Sequence, residues 1–446
     1  MKNFALGYTI RMLDIKFIRE NKDIIKEGAK KKNIEVDIDN LLSIDEHRLE
    51  ILSRVEFLRG EQNKVSLSMG GTLSQEARTQ LIEEMHLVKN ELKDKEEELR
   101  ETMKTWQSLM LKIPNIPSVD TPVGTDETSN QVLRQWGKKP EFSFTPKEHF
   151  ELGKALGIID TETASEVASS RFAYLKGDLV LLQFALIQMC LEILTNKEIL
   201  TKIASNAGIS ILPREFIPVI PPVFIRPLVQ AKMARYMTPE DHYLFPNDDL
   251  MLIGSAEHTL GPMHMNKIFE ESELPIRYAG YSTAFRREAG TAGKDTNGIL
   301  RQHQFDKLEM EVFSLPENSI QEQNFLVAIQ EYILQTLKLP YQVVIICTGD
   351  MSFPDTRQID VETWMPGQNK YRETHSSDLT GGFQSRRLNT RVRRKDGKIE
   401  PVHMNDATVI ALGRTLIAII ENYQQTDGTI KIPEVLQKYL GKEIIS

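Results

Sequence analysis

Residues 285–298 read FRREAGTAGKDTNG and residues 301–309 read RQHQFDKLE, and these two segments decide the fold. They predict neighbouring β-strands joined by a glycine-rich loop. Because side chains alternate between the faces of a strand, one face of the second strand is expected to carry Arg301, His303, Phe305, Lys307 and Glu309. The opposite face carries Leu308 and Met310, which suit a core. The pattern therefore predicts a sheet with one packed face and one charged face.

The charged face has two interpretations that the pattern alone leaves open. It is either an ordinary solvated surface or the floor of a site for a ligand that is zwitterionic, polyanionic and aromatic. The loop does not match a P-loop, because Glu288 stands where the first glycine is needed and Asp295 follows Lys294. The sequence also lacks the GxGxxG, HExxH and GxSxG motifs. Any phosphate binding must therefore use arginine side chains.

The whole chain has 446 residues, of which 40% are hydrophobic, and a formal net charge of −8. This composition excludes a disordered or collagen-like protein, and the length predicts about two or three domains. Cys190 and Cys347 are the only cysteines, which excludes a disulfide framework and a cysteine-rich zinc site. The first residues lack a signal peptide, and the apolar stretch from Leu179 to Leu194 is interrupted by polar residues, as in a core helix. We therefore expect a cytoplasmic protein that does not enter a membrane.

Residues 37–111 are rich in charge and free of proline, with a break at Gly70-Gly71. Apolar residues recur at the alternating three- and four-residue spacing of a coiled coil. The seam consists of Ile44, Ile51, Leu58 and Val65 in the first segment and of Leu81, Met85, Val88, Leu92, Leu99, Met103, Trp106 and Met110 in the second. This spacing predicts an antiparallel helical hairpin, the arm, over about 38–111, which projects about 50 Å. A dimerisation coiled coil is the alternative that the pattern leaves open.

The prolines between Ile113 and Pro122 end the periodicity and predict a linker after the arm. Beyond it, apolar runs such as Tyr341 to Cys347 are typical of strands, and stretches such as Asn318 to Leu337 are typical of helices. An α+β domain with an antiparallel sheet is therefore expected. The predicted domains are an N-terminal domain over 1–112, a linker over 113–130 and a catalytic domain over 131–446.

The two opening segments closely resemble motif 2 of class II aminoacyl-tRNA synthetases, in the form found in seryl-tRNA synthetases. Residues 413–424, GRTLIAIIENYQ, resemble motif 3, and Ile217 to Pro222 resembles the proline-marked motif 1. The stretch from Met12 to Asn21 and the arm are also similar to this family, whereas residues 1–11 and 196–211 look like additions. The resemblance favours the binding-site interpretation of the charged face. It implies an α+β class II catalytic domain with an antiparallel sheet, preceded by a long antiparallel coiled-coil hairpin that binds tRNA.

The resemblance also implies a role for each matching residue. The catalytic residues, which neutralise the phosphates, would be Arg286, Arg301 and Arg414. In the implied ATP site, Glu288 reads the adenine amino group, and Phe305 and Arg414 stack on the two sides of the purine. The implied serine site consists of Ser255, Glu257, Lys307, Glu309 and Thr408. Glu373 and Ser376 would bind Mg²⁺, which prefers oxygen ligands.

The activity implied by the resemblance is two-step acyl transfer. Serine and ATP give seryl-adenylate and pyrophosphate, and the terminal ribose of tRNA(Ser) then accepts the serine; the family also implies a homodimer. Asp378 and Leu379 depart from a segment that commonly reads Ser-Ser-Cys-Ser-Asn, and Asp406 stands where asparagine is common. Two alternatives therefore stay open, namely a related enzyme that activates a small amino acid for a carrier protein and a catalytically inactive RNA-binding coiled-coil protein.

Overall fold

The computed structural model describes residues 14–69, 74–212, 214–235, 241–288 and 297–446. The predicted turn at Gly70-Gly71, most of the glycine-rich loop and the amino-terminal addition lie outside the described residues. The chain divides into two compact units, described separately below. The helical unit contains Leu13–Lys30 and Ile34–Pro114, and the sheet unit contains Lys31–Asn33 and Asn115–Ser446.

The described helices at the start of the chain are α1 Ile15–Glu20, α2 Lys22–Lys31, α3 Ile38–Ser68 and α4 Gln75–Leu111. The Asp37 side chain accepts a hydrogen bond from Asn40 N and so caps the start of α3. Ser74 caps α4 in the same way, through Ala77 N. Each long helix therefore begins at a residue whose side chain satisfies a free backbone N–H group.

The seam between α3 and α4 uses several of the predicted apolar positions and adds Val55, which the prediction did not include. A buried cluster consists of Ile51, Val55, Leu58 and Leu92, with Val88 and Leu99 packed against it. His47 lies 3.3 Å from Glu98, and Arg54 lies 2.5 Å from Glu91, so residue numbers fall along α4 as they rise along α3. The two helices are therefore antiparallel, and the predicted long helical hairpin is confirmed.

The sheet unit mixes strands and helices along the chain. Its described strands are β1 Gln131–Trp136, β2 Ile159–Asp160, β3 Tyr174–Leu175, β4 Ile217–Val219, β5 Phe224–Ile225, β6 Leu244–Phe245, β7 Leu250–Leu252, β8 Ile268–Glu270, β9 Ile276–Phe285, β10 Gln304–Ser314, β11 Tyr341–Ile345, β12 Arg357–Met365, β13 Lys370–Gly381, β14 Arg391–Arg393, β15 Ile399–Pro401, β16 His403–Ala411, β17 Ile430–Lys431 and β18 Ile444–Ile445. Its described helices are α5 His149–Ala155, α6 Thr161–Val167, α7 Asp178–Leu194, α8 Lys197–Asn206, α9 Pro227–Met233, α10 Glu257–Leu260, α11 Ser319–Thr336, α12 Phe383–Leu388, α13 Leu412–Asn422 and α14 Glu434–Leu440.

The largest sheet in the described part of the chain has the order β1-β11-β12-β13-β16-β10-β9-β4. Its neighbouring strands are antiparallel, except that β4 runs parallel to β9. Two strands do flank the glycine-rich loop, but their predicted bounds are wrong. β9 ends at Phe285, so Arg286 and Glu288 follow it, and β10 begins at Gln304, so Arg301 and His303 precede it. The predicted α+β class with an antiparallel sheet is therefore confirmed.

One face of this sheet packs against helices. Leu308, Met310 and Val312 of β10 are fully buried, in a cluster that includes residues of α7, α11 and α13. Leu200 and Ile203 of α8 join the same core, so the additional segment 196–211 contributes to packing. No single described helix is long and apolar enough to cross a membrane, although α7 and α8 pass that test together as a pair bent by 77°.

Candidate active site

The site face of the sheet is the one opposite this core, where β13, β16, β10 and β9 are neighbours. Glu309 of β10 lies opposite Thr408 of β16 in the register. Thr408 Oγ1 lies 3.3 Å from Ser376 Oγ of β13. Three of the predicted site residues therefore form a row across three adjacent strands. Ser376, Thr408 and Glu309 are called the first row below.

The segment that enters α10 brings further polar groups over this face. A Cβ atom at Gly280 of β9 would lie 2.5 Å from Leu260 Cδ1, so a glycine here lets α10 approach the strand. Ser255, just before α10, donates to Glu309 Oε2 at 3.2 Å. Lys307 Nζ lies 2.5 Å from the same oxygen and 3.4 Å from Ser255 Oγ. Ser255, Lys307 and Glu309 therefore form one contact cluster.

The Glu309 carboxyl group is buried, and its Oε1 has no hydrogen-bond partner among the described residues. Burial raises the pKa of Glu309 to about 7, an effect that Lys307 opposes and Glu257 reinforces. One carboxyl oxygen from each of Glu257, Glu309 and Asp406 lies within 4.8 Å of the other two. An ammonium group placed between them would pair the free oxygen and relieve the repulsion.

The predicted nucleotide-binding residues lie after β9 and before or at the start of β10. The Arg286 guanidinium lies 5.4 Å from the centre of the Phe305 ring, and Arg286 Nε donates to Gly254 O at 3.1 Å. Arg301 Nη1 donates to Glu288 Oε2 at 2.8 Å. Two groups that the resemblance assigns to different parts of ATP thus contact each other.

Arg414 of α13 lies beside a different carboxylate. Its Nη1 lies 3.0 Å from Glu373 Oε1 and donates to Glu373 O, also at 3.0 Å. Among the contacts of the described residues, the Phe305 ring has the Arg286 guanidinium as its cationic neighbour. Phe305 and Gly413 line one cavity of about 400 Å³, so Arg414 follows directly after a residue of that cavity.

A bulge in β13 sets the position of Glu373. In the pairing with β12, Thr374 is an extra residue between Glu373 and His375. Simple alternation would put Glu373 and Ser376 on opposite faces, whereas one extra residue lets them share a face. Asp360 lies opposite Ser376 and adds a buried carboxyl group, whose pKa is raised by burial and by Glu373. This set of oxygen donors fits Mg²⁺.

Two family models match the chain. Residues 12–117 match the seryl-tRNA synthetase N-terminal domain, and residues 243–423 match the class II tRNA synthetase core domain (G, H, P, S and T). The serine–tRNA ligase of Thermodesulfovibrio yellowstonii is 39% identical over 440 residues, which cover 97% of this chain and 100% of that protein. The chain belongs to the seryl-tRNA synthetase family.

Solved structures of this family have the same fold. The seryl-tRNA synthetase of Pyrococcus horikoshii complexed with ATP matches with a TM-score of 0.83 and 35% identity, covering 97% of this chain and 99% of that chain. The cytoplasmic serine–tRNA ligase of Naegleria fowleri in complex with AMP matches with a TM-score of 0.79 and 30% identity, covering 97% and 98%. The chain is therefore an enzyme of the class II aminoacyl-tRNA ligases.

Two departures from the seryl-tRNA synthetase pattern, Asp378 and Asp406, share a partner that the sequence analysis missed. Arg235 Nη2 donates to Asp378 Oδ2 at 2.8 Å and lies 3.2 Å from Asp406 Oδ2. Arg235 Nε lies 3.1 Å from Glu257 Oε1. Two adjacent buried acids require a cation, so the sequence could have indicated that one exists. It could not indicate Arg235, which is 143 residues from Asp378.

The pKa values of two acids around Arg235 shift in opposite directions. Burial disfavours the charged form of Glu257, but Arg235 and His258 outweigh it and hold the pKa of Glu257 well below its usual range. Burial and the charge of Glu257 raise the pKa of Asp406 well above its usual range, although Arg235 opposes this. Arg235 therefore stabilises the charged form of Glu257 more completely than that of Asp406, and the two acids titrate as interacting groups.

Proposed function

We propose that this protein charges tRNA(Ser) with serine through a seryl-adenylate intermediate. The observation that carries the proposal is the buried cluster of Ser255, Lys307 and Glu309 next to Thr408, because it offers a partner for every polar group of serine. The free Glu309 oxygen accepts the α-ammonium group, and Glu257 completes that site. Lys307 faces the carboxylate, and Thr408 hydrogen-bonds the side-chain hydroxyl group.

In the first step, a carboxylate oxygen of serine attacks the α-phosphorus of ATP, and the bond to pyrophosphate breaks. This step needs positioning and charge neutralisation but no protein nucleophile. Arg286 holds the α-phosphate with its planar guanidinium, and Arg301 and Arg414 supply further positive charge. Phe305 stacks on the adenine, and Glu288 accepts a hydrogen bond from the adenine amino group. Because Arg301 and Glu288 contact each other, ATP binding separates them.

Mg²⁺ is the metal cofactor that this reaction requires in our proposal, held by Glu373 and Ser376. When bound, it neutralises phosphate charge and fixes the orientation of the triphosphate. Arg414 pairs with the Glu373 carboxylate, so this carboxylate links the metal site to the arginine of motif 3. Oxygen donors from one strand, brought to one face by the bulge, support this assignment.

In the second step, a ribose hydroxyl of tRNA attacks the carbonyl carbon of seryl-adenylate, and AMP leaves. The long arm supports a role in holding the RNA, because a smaller acceptor would not require so long a hairpin. We therefore propose the domain layout expected from the sequence, with a tRNA-binding domain over 1–112, a linker over 113–130 and the catalytic domain over 131–446.

A homodimer formed at the edge of the large sheet is also part of the proposal. β4 is the last strand of that sheet, and Ile217 and Ile220 expose 51% and 85% of their surface there. Phe224 and Leu228 add further exposed apolar surface. A sheet edge with exposed apolar groups favours pairing with a second copy. We place the enzyme in the cytoplasm, in keeping with its two free cysteines.

The test is ATP–pyrophosphate exchange with each of the twenty standard amino acids, followed by aminoacylation of tRNA(Ser). Serine is expected to give the highest exchange rate and to appear as an ester on the tRNA. Thr408→Val keeps the side-chain volume and removes the hydroxyl group, so it should raise the KM for serine and leave the KM for ATP unchanged. A higher rate with another amino acid would overturn serine specificity, and no exchange with any would overturn the activity.

A further inference from the structure

Acidic residues form a second row on the site face. Asp406 lies opposite Asp378 of β13 on one side and opposite Glu311 of β10 on the other. Each of these residues is two positions along its strand from a member of the first row, so the two rows are about 7 Å apart. All three acids are buried. Three carboxyl groups therefore line one end of the proposed serine pocket.

Arg235 is the cation that meets the second row. Ala234, which follows α9, has a φ of 58°, so the chain turns just before Arg235. Arg235 Nη2 donates to Asp378 Oδ2 at 2.8 Å and to the two oxygens of Asp406 at 3.3 and 3.2 Å. Its Nε lies 3.1 Å from Glu257, and the side chain is only 10% exposed. Asp355 lies 3.6 Å from Arg235 Nη2, so one buried guanidinium contacts four carboxyl groups.

The second row and the proposed ammonium site form one charged region. Glu257, Glu309 and Asp406 each place an oxygen within 4.8 Å of the other two, and Glu309 Oε1 is without a hydrogen-bond partner in the described part of the chain. Within the same described residues, Arg235 and Lys307 are the arginine and lysine side chains in ion-pair contact with this group. The number of ammonium groups that a ligand can place among these carboxyl groups therefore depends on whether Arg235 is present.

We propose that Arg235 is a positioning residue that sets the amino-acid specificity of the pocket. Because Arg235 holds Asp378 and Asp406, the pocket accepts one ammonium group and rejects an amino acid that carries a second one on its side chain. This inference rests on the proposed function and deepens it. 2,3-Diaminopropionate is the most informative competing ligand for testing this inference, since it differs from serine only by an amine in place of the hydroxyl group.

The proposed preference depends on the difference in side-chain charge between serine and 2,3-diaminopropionate, which are nearly equal in size. Specificity depends on repulsion of the wrong ligand as much as on attraction of the right one. With Arg235 in place, a second ammonium group meets a like charge that already contacts Asp378 and Asp406. Serine presents a neutral hydroxyl group, which Thr408 can pair. Without Arg235, the freed carboxyl groups would bind the second ammonium group instead.

The experiment measures ATP–pyrophosphate exchange by the full-length enzyme with serine and with 2,3-diaminopropionate. Selectivity is the ratio of the two kcat/KM values from one preparation, so it does not depend on the fraction of enzyme that is folded. We expect Arg235→Met to lower the serine preference by about tenfold or more. The double variant R235M/D406N should restore much of that preference, because Asp406→Asn removes a carboxyl group that Arg235→Met leaves without its partner.

Arg277→Met is the matched control. Arg277 is buried and forms a two-point ion pair with Glu322 at 2.9 and 2.8 Å, but alternation places it on the other face of β9 from Gly280. Loss of this pair is expected to lower the thermal stability and to leave the ratio of serine to 2,3-diaminopropionate unchanged. A purely structural role of Arg235 would give the same result as this control.

An unchanged ratio in Arg235→Met, or an equal change in Arg277→Met, would overturn the inference. If Arg235→Met does not fold, the single variant Asp406→Asn decides, because it leaves more of the Arg235 charge uncompensated and should raise the serine preference. An unaltered preference in that variant would also overturn the inference. A wild-type enzyme that activates neither amino acid would overturn the proposed function, and this inference with it.

Discussion

The charged groups of the arm and those of the site face differ in their access to water. Arg54 and Glu91 on the arm expose 44% and 42% of their side chains, whereas Lys307 and Glu309 on the sheet expose 9% and 1%. An exposed ion pair contributes about 0–1 kcal/mol, and a buried charge is strongly destabilising unless it is paired. The exposed Arg54–Glu91 pair is therefore explained by solubility and weak pairing, but the buried charges on the sheet require a ligand or a partner, as does the buried Asp45 of α3, which pairs with Arg48.

Arg286→Ala should give the largest effect and separates function from stability on the sheet. Loss of the guanidinium that we assign to the α-phosphate should lower the exchange rate by about 10²–10³-fold. The melting temperature should change little, because Arg286 is exposed. Arg287→Ala is the control, since this neighbouring exposed arginine lies 5.7 Å from the Tyr243 ring. Equal losses in both variants would contradict the assignment of the phosphate to Arg286.

Glu309→Gln should raise the KM for serine by about tenfold or more at alkaline pH, since an amide cannot supply the negative charge. In the wild-type enzyme the KM should fall as the pH rises through about 7, because the carboxylate that pairs with the ammonium group forms there. Glu309→Gln should remove this pH dependence. Steady-state kinetics from about pH 5 to about 9 measures both effects.

Ionisation of Glu309 favours serine binding but lowers the stability of the folded protein. The pKa of this carboxyl group is raised by folding, so its contribution to stability is fully present below the ordinary pKa of glutamate and is lost as the pH rises through about 7. Glu362→Gln is the control for the pH dependence of the serine KM. Burial also raises the pKa of Glu362, but this residue lies 2.6 Å from Gln342, outside the proposed serine pocket. A serine KM that responds to pH identically in both variants would exclude Glu309 as the ammonium partner.

Leu92→Ala tests the apolar seam of the arm. Leu92 belongs to the buried cluster with Ile51 and Leu58, so its truncation should lower the free energy of unfolding by about 2–4 kcal/mol. Leu87→Ala is the matched control on the same helix, because Leu87 is 70% exposed. Urea denaturation followed by circular dichroism measures both variants. Equal losses would mean that the seam does not stabilise the hairpin.

Arg54→Ala should have the smallest effect, a loss of less than about 1 kcal/mol, because its ion pair with Glu91 is exposed. The same denaturation experiment measures it. A loss as large as that of Leu92→Ala would contradict the distinction drawn between exposed and buried charge. Weaker tRNA charging at unchanged stability would instead assign Arg54 to RNA contact.

The faces of β10 and the arm could be predicted because each depends on a local period. Leu308 and Met310 alternate with charged residues along one strand, and the apolar residues of α3 and α4 recur at the coiled-coil spacing. Such periods survive folding, since the backbone geometry of a strand or helix imposes them. The motifs likewise name Ser255, Lys307 and Glu309, which the structure brings into contact, while their roles stay predictions.

Other features depend on contacts that no local period encodes. The extra residue Thr374 puts Glu373 on the face of Ser376, although alternation predicts opposite faces. Arg235 reaches Asp378 across 143 residues of chain, so its role emerges only from the tertiary structure. The same holds for the approach of α10 to the sheet at Gly280, where the absence of a side chain matters more than any motif.

In the ATP site that we propose, a small-molecule inhibitor that copies only the nucleoside part of ATP would meet Arg301 and Glu288 already bound to each other. It would have to separate two charged groups without offering an anion in exchange, which disfavours binding. A compound with an acidic group can take the place of Glu288 on the guanidinium. Chemical scaffolds with negative charge at this position should therefore inhibit the enzyme better than neutral adenosine mimics.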